Sequence, residues 1–423
     1  MSGLPKIGYA GMSHLGINSL AAAAARGFEV LGFDPDPALS GALSEGHLPV
    51  SEPGLADSIQ VHGEKIHFSS DLADLGACDV VYISFDVPTD DQGHSDLTPI
   101  EALIAAVSPA LRADCVLVVL SQVPPGFTRG LNRHGSGPFY QVETLVFGRA
   151  YDRALNPERF IIGGADPSQP LPAALATFLE SFHCPILPMR YESAELAKIS
   201  INLCLVASVT TANTLAALCE RIGADWSEIV PALKLDARIG EYAYLGAGLG
   251  LSGGNLERDL ATLVRFGDAQ GADMGAVRAA QANSAQRRYW ALDRLHETVL
   301  HRADAPMIAV LGLAYKESTH STKNSPALAL LDALRPFPVR AFDPLVTAEG
   351  GWHPLLTQTA TAMDACAGAD AVVVMTPWPE FRALSPAELT ASMRGDVVID
   401  PYGMLDSTAA VAAGLRHFRL GAG

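Results

Sequence analysis

The stretch KIGYAGMSHLGINSLAAAAARGFEVLGFD, residues 6–34, constrains the fold more than any other part of the chain. An apolar strand pattern over 6–11 ends in glycine. An alanine-rich helical pattern over 16–27 follows and is stopped by Gly27. A second apolar strand, 29–34, ends in an acid. This is one βαβ unit, because two parallel strands need a crossover between them and a helix supplies it. The apolar runs DVVYISF (79–85) and CVLVVLS (115–121), and a short strand near FIIGG (160–164), alternate with helical patterns. They predict an open, mostly parallel sheet with helices on both faces.

The pattern changes near residue 191. YESAELAKISINLCLVASVTTANTLAALCERIG reads as one long helix ended by Gly223, and a second helical stretch runs from near Leu256 toward Leu300. No strand pattern intervenes, so the middle third is expected to be all-helical. From Met307, MIAVLGLAYK restarts the strand–turn–helix alternation, and RAFDP (340–344), AVVVMTP (371–377) and DVVIDP (396–401) supply further strands. A chain of 423 residues has room for about two or three domains. The expected architecture is α/β: two Rossmann-like domains joined by a central all-helical one, divided as 1–190, 191–300 and 301–423. Both α/β domains open with an apolar strand that runs into a glycine turn.

A formal net charge of −17 argues against a nucleic-acid partner, since phosphate backbones need a basic surface. The longest apolar runs read as broken by charges or glycines before membrane-spanning length, and the N-terminus runs directly into a strand pattern. A cytoplasmic protein with no membrane partner and no signal peptide is expected. Six dispersed cysteines without a C-x-x-C pair fit buried thiols in a reducing compartment better than a disulfide or zinc framework, and no metal is expected.

The first turn reads GMSHLG, 11–16. A dinucleotide fingerprint needs glycines at a tight turn after the first strand and an acid at the end of the second. Gly11, Gly16 and Asp34 meet that pattern. Asp34 would accept hydrogen bonds from ribose hydroxyls and repel a 2′-phosphate, which favours NAD over NADP. Ser13 replaces the middle glycine, and its Cβ and hydroxyl are expected to weaken or reposition the cofactor. Two loops after strand ends, 85–97 with Thr89 and 121–130 with Ser121, lie where open α/β sheets bind ligands. Taken alone they are equally ordinary turns. Lys198 and Asn202, four apart, share one helix face and by themselves read more readily as a solvated face. Glu158 of NPERF sits near the sheet's rim. Arg238 of ARIG precedes the glycine-dense stretch GAGLGLSGGNLERD (246–259), whose Gly250, Arg258 and Asp259 suit a cradle for a substrate diphosphate.

In this order these pieces resemble the UDP-glucose/GDP-mannose dehydrogenase family across essentially the whole chain. The matching motifs are NPE, ELAKISIN, ARIG, the glycine loop ending in Asp259, VLGLAYK-x-x-T-x-x-x-K-N-SP (310–326), the FDP of 342–344 and TPWPEF (376–381). The resemblance implies an NAD-binding domain, a helical dimerisation domain and a C-terminal nucleotide-binding domain. It implies oxidation of a sugar C6 alcohol to an acid in two NAD-dependent steps. It makes Lys198, Asn202 and Asp259 the active-site polar group, with Glu158 as general acid/base. Lys316 would lie in the nucleotide-sugar site. Arg238 would reach a substrate held by the neighbouring subunit, so a homodimer with a shared active site is expected.

The family loop is G-G-S-C-F-x-K-D, whose Cys attacks the aldehyde. Here Gly254 stands for Ser, Asn255 for Cys and Arg258 for Lys. An amide nitrogen is delocalised and is no substitute for a thiolate. Gln122 replaces a Thr, Gly164 an acidic residue, and PYGM (401–404) a D-x-R-N ending. Lys323 replaces the Arg of R-x-SP and is expected to contact the cofactor. Three functions follow. An oxidoreductase would stop at an aldehyde or ketone, or reach the acid by direct water attack with Glu158 or Asp259 as base. A non-redox epimerase or lyase would use bound NAD transiently. An inactive homologue would serve in binding or regulation.

Overall fold

The computed structural model describes residues 3–88, 90, 95–132, 135, 137–301 and 305–423, and the Asn255 side chain lies outside the description. By packing, the chain divides into two units, 1–201 and 202–423. In the first unit, short apolar runs bounded by turns pair side by side. The strands are β1 (Ile7–Ala10), β2 (Val30–Phe33), β3 (Ile66–Ser69), β4 (Val80–Ile83), β5 (Val116–Val119), β6 (Phe139–Gln141), β7 (Phe160–Gly164) and β8 (Ile186–Arg190). They form one sheet in the order β3-β2-β1-β4-β5-β6-β7-β8. All neighbours run parallel except β6 and β7, which are antiparallel. Residues of β1, β2, β4 and β5 are buried throughout, as strands covered by helices on both faces must be. Two cores result, one on each face of the sheet. The chain order places a reversal between β1 and β4, so a crevice opens at their carboxyl ends.

The helix Tyr191–Ile222 spans the full predicted run. No charge lies between Lys198 and Glu220, and the segment is long and apolar enough to cross a membrane by length and composition. This corrects the expectation of charge-broken apolar runs: Ser, Thr and Asn, not charges, interrupt it. In the second unit this helix is followed by helices Trp226–Leu235, Asn255–Gln270 and Gly275–Arg288, with no strand before Ile308 among the described residues. Trp226–Leu235 is helical despite Pro231, with Asp225 accepting from the Ser227 N–H as its cap.

A second sheet is built from β9 (Ile308–Leu311), β10 (Val339–Phe342), β11 (Leu356–Gln358), β12 (Ala371–Val374), β13 (Val397–Ile399) and β14 (Arg416–Phe418). Its order is β11-β10-β9-β12-β13-β14, and every pair is parallel. Four cysteines are buried, as expected of core thiols, and Cys184 is half-buried. Cys204 is the exception: it lies exposed on the long helix, because its side chain faces away from the packed side.

Candidate active site

In the first unit the turn after β1 is fixed by its own backbone. Gly11 has φ +99°, a conformation that disfavours any side chain. A Cβ on Gly16 would lie 2.0 Å from the Gly11 carbonyl oxygen, so helix His14–Ala25 packs against the turn only with glycine there. Asp34 is buried and its carboxylate accepts from the Met12 N–H at 2.8 Å and the Asp36 N–H at 3.0 Å. The Ser13 hydroxyl donates to the Ser84 carbonyl at 3.1 Å and accepts from the Asp86 N–H at 3.1 Å. Its oxygen is thus turned onto the loop after β4. Ser121 is buried and bonds the carbonyls of Ile83 and Phe85, which ties β5 to the end of β4. These bonds set the floor of the crevice at the carboxyl ends of β1, β4 and β5. Thr89 lies outside the described residues.

Two carboxylates that sequence reasoning missed organise this unit. Glu195 is buried and accepts from the backbone N–H groups of Gly126, at 2.6 Å, and Thr128, at 2.8 Å. Burial raises its pKa, and those two bonds offset only part of the rise. It pins the loop 121–130 to the first turns of the long helix. Glu143 sits beside Lys198: the ammonium lies 3.0 Å from Glu143 Oε2 and 2.8 Å from the Glu143 carbonyl oxygen. Both side chains are mostly buried. Glu158, the expected acid/base, is instead on the surface, paired with Arg153 and Arg159. Lys198 is therefore brought to Glu143 and not to Glu158. The signal for Glu143 in sequence was slight, a lone acid following the buried end of β6.

In the second unit Asn202 donates to Asp259 Oδ2 at 2.5 Å, and Arg258 Nε donates to Asp259 Oδ1 at 3.1 Å. Asp259 and Arg258 are both buried. The amide and the guanidinium satisfy this buried carboxylate with hydrogen bonds and an opposite charge. The glycine stretch before it is a close-packed loop. Gly250 has φ +83°, and a Cβ there would lie 2.4 Å from the Ser284 carbonyl oxygen. Gly253 N–H donates to the Lys323 carbonyl at 3.1 Å, and Asn324 Nδ2 donates to the Gly253 carbonyl at 3.0 Å. Glu257 is shared between Arg288, at 2.8 Å, and Asn324. Lys323 and the loop glycines thus form one wall, with Tyr315 packed 3.0 Å from the position a Gly253 Cβ would take. Lys316 lies over the Tyr315 ring. Asn255 opens helix Asn255–Gln270, placing position 255 at a helix N-terminus. Arg238 is exposed and doubly bonded to Asp236.

The sheet, the glycine turn, the acid at the end of β2 and the second α/β sheet together define a dinucleotide-dependent oxidoreductase class, with two nucleotide-binding folds in one chain. The family models of the UDP-glucose/GDP-mannose dehydrogenase family match nearly all of it: its NAD binding domain over 5–182, its central domain over 192–285 and its UDP binding domain over 309–407. The UDP-glucose 6-dehydrogenase AglM of Haloferax volcanii is 31% identical over 92% of this chain and 95% of its own. The UDP-glucose 6-dehydrogenase TuaD of Bacillus subtilis is 28% identical over 99% of this chain and 93% of its own. Among solved structures, a UDP-glucose dehydrogenase from Pyrobaculum islandicum superimposes with a TM-score of 0.82 at 27% identity, covering 94% of each chain. This chain belongs to the UDP-glucose/GDP-mannose dehydrogenase family. It is an NAD-dependent oxidoreductase that acts on a nucleotide sugar.

Proposed function

We propose that this enzyme oxidises the C6 alcohol of a UDP-hexose with NAD and proceeds without a covalent enzyme–sugar intermediate. The observation that carries the reading is the surviving polar set beside a missing thiol. Asp259 still holds Asn202 and Arg258 in a buried cluster, whereas position 255 carries an amide. In the first oxidation a base takes the alcohol proton, the C6 hydride passes to NAD, and an aldehyde and NADH result. Lys198, with its charge next to Glu143, is suited to steady the developing alkoxide. Glu143 takes the acid/base role expected of Glu158, because it is the carboxylate that Lys198 meets. Asp34 selects NAD, Ser121 and the Gly11 turn shape its crevice, and Gly250, Lys316 and Lys323 line the nucleotide-sugar side. Thr89 stays a candidate cofactor contact.

The functional division follows 1–190, 191–300 and 301–423, with the middle segment pairing two copies. Leu196, Leu215, Leu218 and Ile222 stand exposed along the long helix, and Leu235, Ile239 and Tyr242 beyond it. Exposed apolar rows of this kind mark an interaction face. In a two-fold dimer Arg238 leaves Asp236 for the substrate of the neighbouring subunit. Such a dimer, working in the cytoplasm, covers the apolar helix without a membrane.

The test is stoichiometry. With UDP-glucose and related UDP-hexoses, NADH formed per sugar consumed is expected near one. A ratio near two means that water completes the acid without the thiol. No NADH across the panel, with NAD still bound, defeats the redox reading. Glu143→Gln is expected to slow turnover by roughly a hundredfold or more.

A further inference from the structure

His14 opens the helix that follows the Gly11 turn, where the positive helix end would face a bound cofactor's diphosphate. Its Nε2 lies 2.9 Å from Glu52 Oε1, and its ring stacks on Phe147 with centroids 4.3 Å apart. Glu52 is 1% exposed in its side chain and His14 14%. The same carboxylate accepts from the backbone N–H groups of Gly148, at 3.0 Å, and Ala150, at 3.1 Å. Burial raises the Glu52 pKa, but the bonds from His14, Gly148 and Ala150 outweigh it and hold the group below the usual carboxylate range. Asn18 donates to the His14 carbonyl at 2.8 Å and steadies the helix's first turn. One ionised carboxylate therefore joins two segments: the cofactor turn through His14, and residues 143–150 through its two amides. The second segment carries Glu143, which meets Lys198 of the long helix.

We propose that His14 is a positioning residue that, through Glu52, couples occupancy of the dinucleotide turn to the ordering of the segment 143–150. A bound cofactor diphosphate would fix the helix's first turn and with it the His14 ring. That strengthens the bond to Glu52, and the carboxylate then holds Gly148 and Ala150 more firmly. The acid/base arm is ordered when the hydride acceptor is present. The inference rests on the proposed function for its benefit, the readiness of Glu143, but not for its contacts.

The experiment is amide hydrogen exchange at 148 and 150 in the full chain, with and without NADH, beside a fluorescence titration of NADH. In the unaltered protein NADH is expected to slow exchange at these amides roughly fivefold. His14→Ala should abolish that NADH-dependent slowing while NADH still binds. His14→Gln, whose amide nitrogen can take the place of Nε2, should restore much of it. If His14→Ala retains the full slowing, or if saturating NADH leaves exchange unchanged in the unaltered protein, the coupling is refuted. Should His14→Ala lose NADH binding altogether, His14→Gln decides: binding without the slowing refutes the coupling, and binding with it supports it. Full activity of Glu143→Gln would sink the acid/base reading and leave the exchange result standing.

Discussion

The two α/β sheets open with nearly the same turn and then use it differently. Gly11 ends β1 with φ +99° and Gly312 follows β9 with φ +93°. Each glycine N–H donates to the carbonyl of the phenylalanine that ends the neighbouring strand, Phe33 in one and Phe342 in the other, at 2.8 Å. Each neighbouring strand is followed by an aspartate, Asp34 or Asp343. The contrast lies in how those carboxylates are occupied. Asp343 accepts from the N–H groups of Leu313, Ala314, Leu345 and Val346 and from the Trp378 indole. Among the described residues, Asp34 accepts from Met12 and Asp36. A carboxylate offers about four lone-pair sites, so Asp343 is saturated by its own fold and Asp34 keeps capacity for ribose hydroxyls. The helix after the first turn begins at His14, whereas the next α-helix after the second begins only at Pro326. The first turn can present a helix N-terminus to a diphosphate, and the second hands its backbone to a loop that packs on the glycine stretch.

The sharpest way to break this contrast is to remove both acids. Asp343→Ala strands buried backbone donors, and unfolding by urea should show a loss of roughly 3–5 kcal/mol. Asp34→Ala should cost only about 1–2 kcal/mol of stability by the same measurement. Equal losses would mean that both acids are structural. The second expected effect is on the cofactor. Asp34→Ala should weaken NAD binding roughly tenfold to a hundredfold in a fluorescence titration and narrow the preference over NADP. Unaltered NAD affinity in that variant would remove Asp34 from the ribose. The smallest effect belongs to Ser13→Gly. Among the described residues its hydroxyl bonds only to Ser84 and Asp86, so about 1 kcal/mol of stability should be lost, with a smaller change in NAD affinity. A large gain in NAD affinity would show that the serine obstructs the cofactor after all.

The sheets' centres were legible in the sequence and their margins were not. β1, β2, β4, β5, β9, β10, β12 and β13 announce themselves as apolar runs because helices cover both their faces. The four strands that escaped notice at the edges are β3, β8, β11 and β14, with the short β6 inside the first sheet. An edge strand buries less, so β8 mixes Pro188 and Arg190 with apolar residues, and β14 is only Arg416, His417 and Phe418. At the site, residues set by backbone geometry, Gly11, Gly16 and Gly250, could be read from spacing. Asn202 and Asp259, 57 positions apart, came from the family pattern and do meet. Glu143 did not stand out, because nothing local marks it: its partner is 55 residues away, and the nearby NPE motif drew attention to Glu158.

The exposed thiol of Cys204 has a practical consequence. Burial pushes Cys78 up to about 11 and Cys115 and Cys366 up to about 12, so those thiols are shielded and poorly ionised at neutral pH. A maleimide dye should therefore attach mainly at Cys204 while the long helix stands uncovered, and pairing of two copies through that helix should slow its attachment. The labelling rate would then act as a gauge, without engineered cysteines, of how far two such helices meet as the solution is diluted.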